Sequence, residues 1–122
     1  MPDQPDSAAE RLASCVVPLL QEACDYAQRH GIAVELSVSP GEACLTLTTP
    51  GGSHLESLRV ALGPDAEHAL IEKSYEDGEL LSQTVSVHGL SPTVIETELA
   101  GFFQRAAALP LGYLKPRHPA GF

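Results

Sequence analysis

The periodicity of apolar residues changes twice along this chain, and the two changes limit the folds that it can adopt. Before Gly31, apolar residues recur at steps of three and four, the spacing of one face of an α-helix. From Ile32 they alternate with polar residues, which is typical of strands with one buried face. After Gly89 the helical spacing returns. The sequence therefore predicts a helix, a run of strands and a second helix.

The first helix is expected to span residues 7–30. Ser7 and Glu10 have the spacing of a capping box, in which each side chain accepts a hydrogen bond from the other residue's backbone amide. Pro18 interrupts the run, but the apolar stripe keeps its phase across it. We therefore expect one kinked helix, with two shorter helices as the alternative. Gly31 suits the left-handed conformation that follows many helices. The stripe consists of Leu12, Val16, Leu19, Leu20, Ala23 and Ala27.

Five strands follow, and the register of the last pair can be predicted. A three-residue loop with Gly78 in the left-handed conformation pairs Ile71 with Gln83 and Ala69 with Val85, which collects apolar residues on one face. A two-residue loop would spread them over both faces. The first three strands are expected at residues 32–39, 43–49 and 54–62, and the last two flank the loop Glu76-Asp77-Gly78.

The second helix is expected to begin at Ser91, which can cap it, and Pro92, which suits the first helical position. It should end near Leu109, before Pro110. The sequence thus predicts an α+β fold with two layers, in the order α-β-β-β-β-β-α, in which both helices cover one face of a five-stranded antiparallel sheet. We expect a flexible N-terminus at residues 1–6, a single α+β domain at 7–109 and an irregular C-terminal tail at 110–122. In the tail, Leu111, Tyr113 and Leu114 should pack over the core.

The sheet face away from the helices is expected to be polar, flat and open to a partner. It should present Glu35, Ser37, Cys44, Thr46, Thr48, Ser57, Arg59, Lys73 and Ser82. Seven basic and sixteen acidic residues give this chain of 122 residues a net charge of −9, which disfavours nucleic acid and favours basic or neutral surfaces. The apolar runs are too often interrupted by charge to span a membrane. Three cysteines and acids without a base before Arg11 indicate a reduced, cytoplasmic protein.

The sequence assigns no catalytic, cofactor-binding or metal-binding residue. Histidines occur at 30, 54, 68, 88 and 118, without the spacing that places two on one helix face, so only a cluster of His68 and His88 would make a metal site. Cys44 has no flanking base to lower its pKa, so we expect a structural thiol. Ser53 and His54 are adjacent and would point to opposite sides of a strand. The acids Glu10, Glu22 and Asp25 are expected to form a solvated helix face rather than an iron-binding ridge.

One part of the chain has a family resemblance. Asp77-Gly78-Glu79-Leu80-Leu81 leads into an alternating strand that ends at Val87, and Gly89-Leu90-Ser91 leads into a helix with Leu99, Phe102 and Phe103. This segment, 33 of the 122 residues, resembles the closing part of type III secretion chaperones and related secretion-chaperone-like proteins. That family has a helix between its third and fourth strands, for which Gly63-Pro64-Asp65 leaves no room. Its dimer interface and partner groove therefore have no counterpart among named residues here.

These observations favour a non-enzymatic, acidic binding or chaperone-like protein that acts on a protein partner with a basic or amphipathic segment. A small enzyme with a site that the sequence does not reveal and a subunit of a larger assembly are the alternatives. The polar sheet face, the apolar tail and Gly101, which interrupts the polar side of the second helix, also predict a homodimer, with a monomer as the alternative.

Overall fold

The computed structural model describes residues 4–48, 55–65 and 67–117. The N-terminal helical segment consists of α1 (Gln4–Arg11), a π-helical turn (Leu12–Val16) and α2 (Val17–Arg29). Five strands follow: β1 (Val34–Ser39), β2 (Glu42–Thr48), β3 (Leu55–Leu62), β4 (His68–Ser74) and β5 (Leu80–Ser86). After a short 3-10 turn, α3 (Pro92–Ala107) and a 3-10 helix (Gly112–Arg117) complete the order.

The strands form one antiparallel sheet in the order β1-β2-β3-β4-β5, as the sequence predicts. Alternate residues of the strands are buried together with the apolar faces of the helices in one core cluster, so the helices lie on one face of the sheet. That face is called the inner face, and the opposite one the outer face. The α+β fold with two layers is therefore confirmed. The largest fully buried side chains are Phe102, Phe103, Leu12, Leu20, Leu45, Leu47, Leu58, Ile71, Leu90, Ile95, Leu99 and Leu114.

The N-terminal segment stays helical across Pro18, which confirms one helical run rather than two separate helices. Proline has no amide hydrogen and its ring collides with the carbonyl four residues earlier in a regular α-helix. The preceding turn is widened into a π-helix, in which the Val17 amide donates to the Leu12 carbonyl. The expected start at Ser7 is wrong, because α1 already includes Gln4.

The hairpin between β4 and β5 has the predicted register. Ile71 lies opposite Gln83, and Ala69 lies opposite Val85. Gly78 has a φ of +92°, and its amide donates to the Tyr75 carbonyl at 3.0 Å, which closes the three-residue loop. The local pattern was sufficient here because one residue with a positive φ sets the phase of both strands.

The second helix begins as predicted but ends earlier. Ser91 Oγ accepts the Val94 amide at 3.2 Å, and Pro92 is the first helical residue. The helix ends at Ala107, because Ala108 adopts a left-handed conformation with a φ of +51°, two residues before the predicted end near Leu109. Residues 112–117 form a 3-10 helix where we expected an irregular tail, and Leu111 and Leu114 are buried against the core.

Candidate interaction surface

The outer face of the sheet is polar along its middle. Cross-strand neighbours on this face include the row Ser37, Cys44, Arg59, Glu72 and Ser82 and the row Glu35, Thr46, Ser57, Ser74 and Leu80. Arg59 donates to both Glu42 and Glu72 at 2.9 Å, and the hydrogen bond to Glu42 is the main reason that the pKa of Arg59 is raised. With Glu35 on β1, this face therefore has three acids and one base.

Lys73 does not belong to this outer face, so that prediction is wrong. It lies opposite Leu58 and Leu81, both inner-face positions, and its amine donates to Glu98 of α3 at 2.5 Å. The prediction placed Lys73 by its polarity, whereas the strand phase that holds Ile71 inward holds Lys73 inward as well. The partner acid offsets the cost of placing a charge under the helix.

Two exposed leucines border the polar rows of the outer face. Leu55 is 60% exposed and Leu80 is 58% exposed, although neither lies in a turn. Leu55 pairs with Thr48 and Leu80 pairs with Ser74, so both side chains lie on the outer face, beside polar neighbours. The face thus combines acidic groups with apolar contact area, which is the combination that an amphipathic partner segment requires.

A groove of about 530 Å³ lies at the end of the outer face, beside the turn between β3 and β4. Its lining includes Ala61, Leu70 and Arg59, with Asp65 and His68 at the turn. Asp65 holds the turn by accepting the Glu67 amide at 3.0 Å and by bonding the His68 ring at 3.0 Å. The Glu67 amide and then the His68 ring lower the pKa of Asp65 to about 2. The charged side chains that line this groove already bond to other residues of the same chain.

A second groove, of about 470 Å³, lies between the N-terminal helical segment and the turn after β1. It is mostly apolar and is lined in part by Leu12, Ala13, Val17 and Val38. Glu10 is its one acidic lining residue. This lining offers apolar contact. It contains no nucleophile paired with a base, and such a pair is the arrangement that acyl or phosphoryl transfer would need.

The β5 strand is the most exposed part of the sheet. Leu81 is an inner-face residue but remains 39% exposed, because the helical layer does not cover this end of β5, whereas Val85 packs against the core. Between β5 and α3 lies a small groove of about 170 Å³, lined in part by Lys73, Glu98 and Gln83. Sequence analysis places Leu81 correctly on the apolar face, but it does not show that this end of the face lacks a helical cover.

The histidines and cysteines that the structure describes are not grouped. His68 bonds to Asp65 and His30 stacks on Tyr26, and residues 4–48, 55–65 and 67–117 contain no cluster of three His, Cys, Asp or Glu side chains suited to a metal ion. Cys15, Cys24 and Cys44 are free thiols, and burial raises the pKa of Cys24. His54, His118 and Ser53 lie outside the residues that the structure describes.

An ion-pair network between the C-terminal helix and the main helices lies outside the sequence-based expectations. Arg117 donates to Glu22 of α2 at 2.6 Å and to Glu96 of α3 at 2.7 Å. The hydrogen bond from Arg117 is the main reason that the pKa of Glu22 is lowered. Glu22 is thus part of a structural network and not of a simple solvated face. No local pattern reveals this network, since Arg117 and Glu22 are separated by 95 positions.

Comparison with models of known families, with curated proteins and with solved structures finds no match to this chain. Within the described part of the chain, no helix has both the length and the apolar character needed to cross a membrane. The fold and the surface alone therefore define the class of this protein. It is a two-layer α+β domain with an open, acidic sheet face.

Proposed function

We propose that this chain is a non-enzymatic protein-binding or chaperone-like protein that holds a basic, amphipathic segment of a protein partner on its outer sheet face. The observation that supports the proposal best is the composition of that face. It has Glu42 and Glu72 bonded to Arg59, a further acid at Glu35 on the edge strand β1, and the exposed Leu55 and Leu80 at its other end.

The two kinds of group have different roles in this proposal. Apolar contacts at Leu55 and Leu80 supply most of the affinity, because removal of apolar surface from water is the main favourable term in association. The acids steer a basic segment toward the face and raise the association rate, in a manner that salt weakens. The chain's net charge of −9 acts in the same direction. A small enzyme and a subunit of a larger assembly remain the competing hypotheses.

The test uses the ¹⁵N-labelled chain and a synthetic peptide of alternating lysine and leucine. A peptide in which glutamate replaces lysine serves as the control. We expect the lysine peptide to shift the amide resonances of outer-face residues such as Ser37, Thr46 and Ser57, and we expect added salt to weaken binding. Shifts confined to the helical layer, or equal binding of both peptides, would contradict the proposal.

A pair of charge reversals shows whether binding depends on the face or only on net charge. Glu35→Lys changes the outer face, whereas Glu10→Lys makes the same change on the helical layer. We expect Glu35→Lys to weaken the lysine peptide several-fold more than Glu10→Lys does. Equal effects of the two substitutions on peptide binding would indicate that the net charge of the chain matters and the position of the acid does not. Turnover of a small molecule, abolished by changing one groove residue, would favour the enzyme instead.

A further inference from the structure

The edge of β5 is unprotected in a way that the other edge of the sheet is not. Edge strands usually have a charged residue, a proline or a cover that prevents pairing with another chain. The opposite edge strand, β1, has an exposed Glu35 and is followed at once by Pro40. The β5 sequence Leu80–Ser86 has no charge, no proline and no glycine, and six of its seven residues are exposed.

The backbone hydrogen bonds identify which residues of β5 point outward. In an antiparallel pair, residues that bond to the neighbouring strand alternate with residues whose amide and carbonyl point away from it. The Tyr75 amide donates to the Glu79 carbonyl at 3.0 Å, and the Val87 amide donates to the Glu67 carbonyl at 2.9 Å. With the regular register between these points, odd-numbered residues of β5 bond to β4. The outward residues, whose backbone amide and carbonyl point away from β4 in the plane of the sheet, are therefore Leu80, Ser82, Thr84 and Ser86.

We propose that β5 pairs with β5 of a second copy, antiparallel and centred on Gln83, so that the two sheets join across a two-fold axis. This register places Ser82 opposite Thr84 and Leu80 opposite Ser86, so that every outward residue faces an outward residue. Both copies then keep their helices on the same side of one continuous sheet. The interface is isologous, as expected for a symmetric dimer.

The side chains favour this register over its neighbours. Centring on Gln83 places the exposed Leu81 opposite the half-buried Val85 of the second copy, which gives Leu81 an apolar neighbour. Centring on Ser82 instead places Leu81 opposite Gln83, and Glu79 opposite Val85. Of these two registers, only the one centred on Gln83 pairs the apolar Leu81 with an apolar residue, whereas Leu80 lies opposite Ser86.

Charge also favours a second copy as the occupant. Two chains with a net charge of −9 repel each other wherever their acids meet. Because β5 has no charged side chain, pairing here brings no two charges directly opposite one another. The proposal concerns the edge of the sheet, whereas the proposed function concerns its outer face, so one can fail without the other.

The test exploits the position of Gln83 on the two-fold axis, where each copy meets its own residue. Gln83→Lys and Gln83→Glu each place two like charges opposite one another, at about 4.5–5.5 Å between Cβ atoms. Since Gln83 is exposed, neither change disturbs the core. Gln104→Lys, at an exposed position on α3, makes the same substitution away from the edge.

We expect the wild-type chain and Gln104→Lys to sediment as dimers at micromolar concentration. Gln83→Lys and Gln83→Glu should each raise the dissociation constant about tenfold or more, and an equimolar mixture of the two should dimerise again. Circular dichroism and thermal unfolding check that each variant is folded. A monomeric wild-type chain, or Gln83→Lys dimers as tight as those of the wild type, would overturn the proposal. Failure of the mixture to dimerise would overturn the register.

Discussion

Replacing Gly101 with alanine should stabilise this protein, although the residue lies in the middle of a helix. Gly101 is an exposed residue of α3, and a Cβ atom added there would meet nothing within 4 Å. Its backbone is helical, so alanine introduces neither strain nor a collision. Glycine in a helix interior costs about 1 kcal/mol relative to alanine, because it loses more backbone freedom on folding.

The size of the effect follows from these numbers. A gain of about 1 kcal/mol corresponds to a rise of about 4 °C in melting temperature for a domain of this length, given an unfolding entropy of about 2.1 cal/mol/K per residue. Thermal unfolding by circular dichroism resolves such a shift. If Gly101 lies against a helix of a second copy in the predicted homodimer, Gly101→Ala should still stabilise the isolated chain but weaken the assembly.

Gly31 provides the matched control. A Cβ atom added at Gly31 also meets nothing within 4 Å, but its φ of +82° is a conformation that L side chains rarely adopt. Gly31→Ala should therefore destabilise the chain by about 1 kcal/mol. The two substitutions are chemically identical and equally free of collisions. The sign of the change in the free energy of unfolding therefore depends on the backbone conformation alone. A neutral or destabilising Gly101→Ala, or the same sign at both positions, would refute this reasoning.

Three further predictions concern the core and the two ion-pair sites. Phe102→Ala should lower the free energy of unfolding in urea by about 3–5 kcal/mol, because Phe102 is fully buried against other aromatic rings. Arg117 lowers the pKa of Glu22, so the stability that this pair adds is present above the ordinary value of 4.5 and disappears as the pH falls further. Glu22→Gln should therefore cost less than about 1 kcal/mol at neutral pH, because both partners are substantially exposed, and nothing in acid. Carbon-detected NMR should find a pKa of about 2 for Asp65, and His68→Ala should raise it only part of the way to 3.8, because the Glu67 amide is the larger cause.

Local patterns were sufficient wherever one residue determines the phase of its neighbours. Gly78 sets the register of β4 and β5, and Ser91 with Pro92 sets the start of α3. The apolar stripe of the first helix likewise identifies one run across Pro18. The π-helical turn before Pro18 was not predictable in detail, because the same proline is compatible with a kink, a break or a widened turn.

Interactions between distant parts of the chain were not predictable. Lys73 follows the strand phase of Ile71 onto the inner face, and the acid that pairs with it there, Glu98, lies 25 positions later. Arg117 depends on Glu22 in the same way. A single sequence contains no signal that such residues meet, so it does not reveal the acid that offsets the cost of an inward Lys73.

The exposure of β5 is only partly predictable. The element order predicts that one strand is uncovered, but the sequence does not determine which strand it is. Five strands spaced about 4.8 Å apart form a sheet about 24 Å wide, whereas two helices side by side, each about 10 Å across, cover about 20 Å. An α-β-β-β-β-β-α chain should therefore leave one strand uncovered, and this much follows from the element order.

Which strand is uncovered depends on where the helices pack. Since α2 packs on β1 and β2, and α3 packs on β3, the less covered end of the sheet is that of β5, where Leu81 is 39% exposed. Its inner face still has the apolar residues Leu81 and Val85, so the sequence of β5 suits a position inside a sheet better than a position at its edge. Pairing with a second copy resolves this mismatch, because it makes β5 an interior strand in each half of the joined sheet.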